Sequence, residues 1–282
     1  MMNLHALAKQ WGGEVCNGEI LIPGPGHSPN DRSLSVRPSG EGFVVHSFAG
    51  DHIKDCLDHV EGLLGGQPIK FDLKQNDTPR PDNKPKALAI WAESQPWQGS
   101  LVETYLAGRG VALPPDCVDV RFNPACPMGR EIVPAMVALI RSVSTLEPLA
   151  IHRTHLNLDG TKGRLDRMAL APMADGVVML TPYNRVWMDL GIGEGIETAL
   201  SLQACPDFGN KPIWAALNAG QLSKFFLPNI DRLVIAADHD PAGVRAALTC
   251  GQRAADQGTE VTLIAPTEFK TDLNDLLKGA AS

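Results

Sequence analysis

The sequence predicts an α/β protein whose C-terminal third is built on a parallel βαβ sheet, and two stretches carry that expectation. Val186-Trp-Met-Asp-Leu-Gly-Ile-Gly-Glu194-Gly-Ile-Glu197-Thr-Ala-Leu-Ser-Leu is a short apolar run that stops at an acidic residue between glycines and continues in a helical pattern. Leu233-Val-Ile-Ala-Ala-Asp238-His-Asp240-Pro-Ala-Gly243 repeats the scheme. Strand, acidic loop and helix, twice over, read as a parallel unit. In open parallel sheets such loops lie at the carboxyl ends of the strands, where ligands bind. Asp238 and Asp240 are two apart, and an extended segment points such residues the same way, so the pair is expected to share one crevice with Glu194. Three unneutralised carboxylates in one crevice raise one another's pKa unless a cation or solvent intervenes. A divalent metal is the function these residues favour.

From the N-terminus, Leu4, Leu7, Ala8 and Trp11 fall at helical spacing. The stretches 20–36 and 42–51 read as strands joined by turns, alternating at Leu34/Val36 and Phe43/Val45. Residues 66–86 carry four prolines, many charges and few large apolar side chains, the composition of an exposed linker. Ala87, Ile90, Trp91 and Ser94 then mark a helix, interrupted near Pro96 and resumed at Leu101, Tyr105 and Leu106. Two hydrophobic strands follow, from Ala135 and from Leu149, and Asp159-Gly160 is a hairpin signal flanked by Arg153, Lys162, Arg164 and Arg167. Such a basic turn suits phosphate contacts; a solvated hairpin is the ordinary alternative. In the C-terminal third, strands are expected at Ile213–Leu217, Asp231–Ala237 and Glu260–Ile264. A helix opens at Pro241, whose missing N–H costs nothing there, with Val244, Ala247, Leu248, Gly251 and Ala255 on one face. A closing helix is expected over Asp272–Leu277. The Gly191-x-Gly193-x-Gly195 run is not a dinucleotide fingerprint, which needs its third glycine one residue later.

Composition narrows the classes. The 282 residues, 44% of them hydrophobic, are enough for one large or two modest domains. A net charge of −7 argues against a general nucleic-acid binder. The charge is uneven, however: residues 121–167 hold seven Arg/Lys against four Asp/Glu, and residues 168–282 hold eight against thirteen. A basic middle followed by an acidic end fits phosphate contacts beside a metal site. Nothing resembles a signal peptide, and the apolar run Ile132–Ile140 is too short and proline-broken to span a bilayer, so no membrane association and a cytoplasmic location are expected. The six cysteines form no Cys-x-x-Cys pair and read as reduced thiols.

The acidic constellation resembles the Toprim domain shared by primases, topoisomerases and certain nucleases. Its pattern is a Gly-Glu-Gly turn (Glu194), an Asp-x-Asp after a hydrophobic strand (Asp238, Asp240, with Gly243) and a late acidic element. Lys270-Thr-Asp272-Leu-Asn-Asp275 is similar to the Lys-Asp-Pro-Asp-Glu element of primases, and Ala216-Leu-Asn-Ala-Gly220 stands where primases have Ala-Leu-Gly-Thr. Upstream, Thr104-Tyr-Leu-Ala-Gly-Arg109-Gly110 resembles the start of the primase catalytic core, and residues 132–170 resemble its basic subdomain loosely. The first 65 residues are similar to the primase zinc ribbon, but Ile22 stands in place of a cysteine, and Ser47 with Gly50 or Asp51 in place of a later pair. Only His27 is left as a ligand type, and structural zinc needs four N/S ligands. A degenerate, zinc-free ribbon is expected, with His46 as a surface histidine.

The resemblance implies four segments: ribbon-like module 1–65, linker 66–86, mixed α+β basic subdomain 87–184 and Toprim domain 185–282. It implies a phage- or plasmid-type DNA primase that synthesises RNA primers on single-stranded DNA from ribonucleotides, using Mg²⁺ or Mn²⁺. Asp238 and Asp240 would be metal ligands, Glu194 ligand or general base, and Asp272 an outer ligand. Arg109, Arg153, Lys162, Arg164, Arg167 and Lys270 would contact nucleic acid or nucleotide, although Arg109 is also placed to meet the carboxyl end of its own helix. Glu197 is read as helix-start electrostatics. The chain stops just after the Toprim region, so the helicase-binding domain with which a cellular-type primase continues is expected to be absent or supplied by another protein, such as a separately encoded replicative helicase. A Toprim metal-dependent nuclease and a non-catalytic replication-accessory DNA-binding protein are the alternatives.

Overall fold

The computed structural model describes residues 4–16, 18–39, 42–65, 82–173, 175–266 and 271–275. The chain divides into two compact units, Met1–Arg80 and Pro81–Ser282. No helix among the described residues is long and apolar enough to cross a membrane.

The first unit packs helix α1 (Leu4–Gln10) and helix α2 (Ile53–Leu64) on an antiparallel meander of β1 (Glu14–Cys16), β2 (Glu19–Ile22), β3 (Leu34–Ser39) and β4 (Gly42–Ser47). Alternation sets the core, because successive strand side chains point to opposite faces. Ile20 pairs with Val36, Ile22 with Leu34 and Val36 with Val45, and these residues close over Leu7, Trp11, Cys56 and Val60. Helix α2 was not anticipated, although Cys56 and Val60 lie four apart and Gly65 ends it in the left-handed conformation at φ 62°.

Where the ribbon resemblance expects metal ligands, the first unit has a hydrogen-bonded polar knot. His27 Nδ1 lies 2.8 Å from Asp31 Oδ2 and 2.9 Å from Ser33 Oγ, and His27 Nε2 lies 3.2 Å from Asp51 Oδ1. Ser47 Oγ donates to Asp51 Oδ2 at 2.8 Å, and Ser33 Oγ donates to Asp31. Both ring nitrogens face a carboxylate, so only the imidazolium can donate on both sides. The hydrogen bond to Asp31 accordingly raises the His27 pKa above its ordinary value, against a smaller opposing effect of burial.

In the second unit, helix α3 (Lys84–Glu93) begins inside the segment read as linker; 66–81 lie outside the described residues. Strands β5 (Gln95–Pro96), β6 (Val120–Met128), β7 (Glu131–Ser142), β8 (Pro148–His155) and β9 (Met168–Leu170) form an antiparallel sheet in sequence order. Strand β10 (Gly176–Val177) pairs with β7, and helix α4 (Leu101–Gly108) packs on the sheet. The Asp159-Gly160 turn is present, closed by a single Leu156–Lys162 bridge and with Gly160 at φ 80°.

The parallel sheet follows, in the order β12-β11-β13-β14: β11 (Asp189–Gly193), β12 (Ile213–Ala215), β13 (Arg232–Ala236) and β14 (Glu260–Ile264). Its helices are α5 (Ile196–Ser201), α6 (Ala219–Lys224) and α7 (Pro241–Ala255). Helix α7 presents Gly243, Ala246, Ala247, Cys250, Gly251 and Ala254 inward. This corrects the expected face, on which Leu248 is in fact exposed. The reason is closeness: a Cβ on Gly251 would come within 3.2 Å of Val261 and 3.7 Å of Ile235 in the sheet, so small side chains face the sheet and the bulky leucine turns out.

The basic subdomain and the parallel sheet share one hydrophobic core, in which Tyr105, Leu106, Met136 and Ile140 meet Ile196, Leu200, Val234 and Ala236. Val178 also bridges to Ala215. The boundary expected at 184/185 is therefore a change of sheet within one packed body. Sandwiched there, all six residues of α5 are buried.

Candidate active site

The site forms at the carboxyl ends of β11 and β13. Glu194 follows β11 directly, and Gly193 lets α5 turn tightly behind it, since a Cβ there would meet the Ala199 nitrogen at 2.7 Å. After β13, Asp238 turns toward α5 and accepts a hydrogen bond from Thr198 Oγ1 at 3.3 Å. Asp240 caps α7: its Oδ1 accepts from the Ala242 and Gly243 backbone N–H groups at 2.9 and 2.8 Å. Asp272 caps the turn at 273–275, its Oδ1 accepting from the Asp275 N–H at 2.9 Å. The His239 N–H donates to the Thr271 carbonyl at 2.9 Å, which brings that turn to the Asp238 loop. Asp238, Asp240 and Asp272 thus line an open cleft of about 180 Å³ with His239, Thr271 and Asp275.

Electrostatics ties Glu194 to the same cleft. Burial, then the Glu194 and Asp272 charges, push Asp238 up to about 7. Glu194 is raised by burial and by Asp240, with the Ala219 N–H opposing. That N–H is presented by the turn after β12, where Leu217 adopts φ 75°, a conformation a bulky side chain takes only under constraint, and where Asn218 Oδ1 accepts from the Gln221 N–H to cap α6. Asp272 is raised by burial and lowered in part by Arg109.

Residues 189–281 match the Toprim domain family. The chain carries a Toprim domain. Residues 81–180 match DUF7146, a domain of unknown function. No curated protein matches the sequence. Among solved structures, the chain is similar to the primase fragment of the bacteriophage T7 primase-helicase protein at 12% identity, covering 92% of this chain and 95% of that one with a TM-score of 0.45. It is similar to the zinc-binding and RNA polymerase domains of Aquifex aeolicus primase at 14% identity, covering 95% and 77%, TM-score 0.41. A Pseudomonas aeruginosa DNA primase domain is similar at 14% identity, covering 70% and 74%, TM-score 0.42.

Around the Toprim acidic cleft the basic residues divide sharply. Arg109 caps the end of α4, half-buried, close enough to Asp272 and Glu197 to lower both carboxyl pKa values. Arg153 is corrected as a nucleic-acid contact: it is only 6% exposed, and its guanidinium donates to the Pro127 and Ala169 carbonyls. Strand β8 is covered on both faces, with Ala150 to His155 all buried, so Arg153 has no route to solvent. Arg167 Nη2 is committed to Glu197 Oε1 at 2.8 Å, and Arg164 is paired with Glu131 at the surface. Lys162 is exposed, while Lys270 lies outside the described residues.

Glu197 is not simply helix-start electrostatics. It is 3% exposed and also accepts from the Tyr105 hydroxyl at 2.5 Å. Burial would raise its pKa, but Arg167 and Tyr105 bring it below its ordinary value, so it is ionised. Thr198, Tyr105 and Asn274 are site residues that the sequence reading missed. Asn274, fully buried, donates from Nδ2 to the Arg109 carbonyl at 2.8 Å and to Ser201 Oγ at 3.2 Å. Its only sequence signal was a polar residue inside an apolar Leu-Asn-Asp-Leu-Leu run.

Among the described residues no three His, Cys, Asp or Glu side chains converge as a ready metal-ligand group. The Toprim cleft instead offers carboxylate oxygens whose pKa values are raised first by burial and then by neighbouring carboxylates, Asp240 at Glu194, Glu194 and Asp272 at Asp238, and Asp275 at Asp272. An all-oxygen donor set used one or two carboxylates at a time fits a hard ion that keeps much of its water, as Mg²⁺ does.

Proposed function

We propose that the chain is a DNA primase of phage or plasmid type, joining ribonucleotides on single-stranded DNA. The observation that carries this reading is the carboxylate cleft of a Toprim domain with a half-buried arginine, Arg109, at its edge. Glu194, Asp238 and Asp240 would hold Mg²⁺ or Mn²⁺, with Asp272 outside them; each capping aspartate keeps one oxygen outside its capping bonds. Bound there, the metal would offset charge on the triphosphate and the leaving pyrophosphate.

The chain's own groups have distinct tasks in this reaction. The 3′-hydroxyl attacks the α-phosphorus of the incoming ribonucleotide, a phosphodiester bond forms and the bond to pyrophosphate breaks. Where Glu194 is not itself a metal ligand, it would accept the hydroxyl proton; burial and the Asp240 charge raise its pKa in the metal-free cleft. Thr198 and the two helix caps hold the acidic side chains against their own repulsion. Arg109 contacts template or nucleotide phosphate at the cleft edge, and exposed Lys162 with Arg164 contributes longer-range attraction.

The test is incubation with single-stranded DNA, labelled ribonucleotides and Mg²⁺ or Mn²⁺, with products resolved by length. New short oligomers support the primase reading. Shortened template would establish a nuclease instead, and binding without either product would leave a replication-accessory module. A separately encoded helicase would be sought by mixing the purified proteins and reading primer yield.

A further inference from the structure

The buried carboxylate of Glu197 has no part in the reaction just described. It lies in the first turn of α5, 3% exposed, where the Tyr105 hydroxyl of α4 meets it at 2.5 Å and Arg167 Nη2 of the loop before β9 meets it at 2.8 Å. An ionised carboxylate is costly to bury unless it is both paired and hydrogen-bonded, and here both demands are met from two different elements. The neighbouring residue, Thr198, is 2% exposed and donates to Asp238. Ser201 Oγ donates to the Glu197 carbonyl at 2.8 Å and accepts from Asn274, which also holds the Arg109 carbonyl.

Helix α5 has six residues, far too few to be stable on its own. Its position is set by what grips it from outside. The grip on Glu197 comes from the basic subdomain, and the next side chain along the helix reaches the acidic cleft.

We propose that Glu197 is a positioning residue: clamped by Tyr105 and Arg167, it fixes the first turn of α5 so that Thr198 holds Asp238 in the metal-binding arrangement. The inference rests on the metal reading of the cleft and adds that the basic subdomain sets the cleft's metal affinity through this clamp. Partners one bond removed from a metal ligand commonly govern affinity by roughly tenfold or more when lost.

The experiment is titration of the whole protein with Mn²⁺ followed by electron paramagnetic resonance, paired with melting curves without metal. The variants are Tyr105→Phe, Glu197→Gln, Thr198→Val, Arg167→Lys and the double variant Tyr105→Phe/Thr198→Val. Tyr105→Phe removes one oxygen atom, so it stays informative should Glu197→Gln fail to fold. Tyr105→Phe and Thr198→Val are each expected to weaken Mn²⁺ binding roughly tenfold, Arg167→Lys to weaken it less, and the double variant to be no worse than Thr198→Val alone. Tyr105→Phe that lowers only the melting temperature and leaves Mn²⁺ affinity at the wild-type value overturns the proposal. So do effects that multiply in the double variant. A wild-type protein that binds no Mn²⁺ sinks the metal reading itself, and the clamp proposal with it; intact binding in wild type and Tyr105→Phe alike sinks the clamp alone.

Discussion

Replacing Asp238 with Asn should stabilise the metal-free protein at high pH. In the fold Asp238 is pushed from 3.8 up to about 7 by burial and by Glu194 and Asp272. A carboxyl whose folded pKa is raised binds its proton more tightly folded than unfolded, so stability falls as pH rises from 3.8 through about 7. A rise of about three units corresponds to ~4 kcal/mol as a ceiling at 1.36 kcal/mol per unit. The cleft is open to solvent, which screens the like charges, so about 2 kcal/mol is the expected effect. Asn keeps an oxygen to accept from Thr198 and removes the charge. For a body of this size ~2 kcal/mol corresponds to roughly 4–8 °C in melting temperature. The assay is calorimetry in chelator at pH 8, 5 and 4. The variant should melt higher at pH 8, by a smaller margin at pH 5, and by the smallest margin near pH 4. A variant that melts no higher at pH 8, or whose advantage is the same at every pH, refutes the electrostatic account of the cleft.

Other expectations follow from the same geometry. Purified protein should carry no stoichiometric zinc, and chelation should leave its melting curve unchanged; one zinc per chain by elemental analysis would contradict the reading of the first unit. Because the His27 pKa is raised, its ion-paired contribution should be complete below its ordinary 6.5 and lost as pH rises past the folded value. His27→Gln should therefore melt below wild type at pH 6 and level with it at pH 9, in whichever transition reports the first unit. Arg109→Ala should weaken single-stranded DNA binding and lower its salt dependence by roughly one counterion, read by anisotropy at several salt concentrations. Arg153→Ala should leave that salt dependence unchanged and instead cost about 1–3 kcal/mol of stability, read by denaturant unfolding, because two carbonyls lose a buried donor.

The parallel sheet was legible because its signals are local. An apolar run ending in a glycine-flanked acid fixes a strand end and a loop together, and Glu194, Asp238 and Asp240 lie where that logic puts them. The strand alternation of the first unit was legible for the same reason. Side-chain commitments made across the chain were not. Arg153, Arg164 and Arg167 look alike in sequence beside one turn, yet one is buried against carbonyls, one is paired at the surface with Glu131 and one grips Glu197. Only the tertiary arrangement separates them, with β6 and β9 beside Arg153, β7 beside Arg164 and α5 against Arg167. The inward face of α7 was displaced because hydrophobicity favoured Leu248, whereas the close approach of the helix to the sheet at Gly251 made size decisive. Capping by Asp240 was hidden for a similar reason: an aspartate before Pro241 is both a capping signal and half of the Asp-x-Asp pair.

The central claim, that the acidic cleft performs synthesis while basic residues elsewhere hold DNA, is tested most directly by Glu194→Gln. Primer yield and DNA-binding anisotropy are measured on this variant and on wild type, with single-stranded DNA, ribonucleotides and Mg²⁺. Removing one carboxylate adds no repulsion to phosphate, so the variant should bind DNA as well as wild type and make no primers. Wild-type primer synthesis by Glu194→Gln would contradict the account.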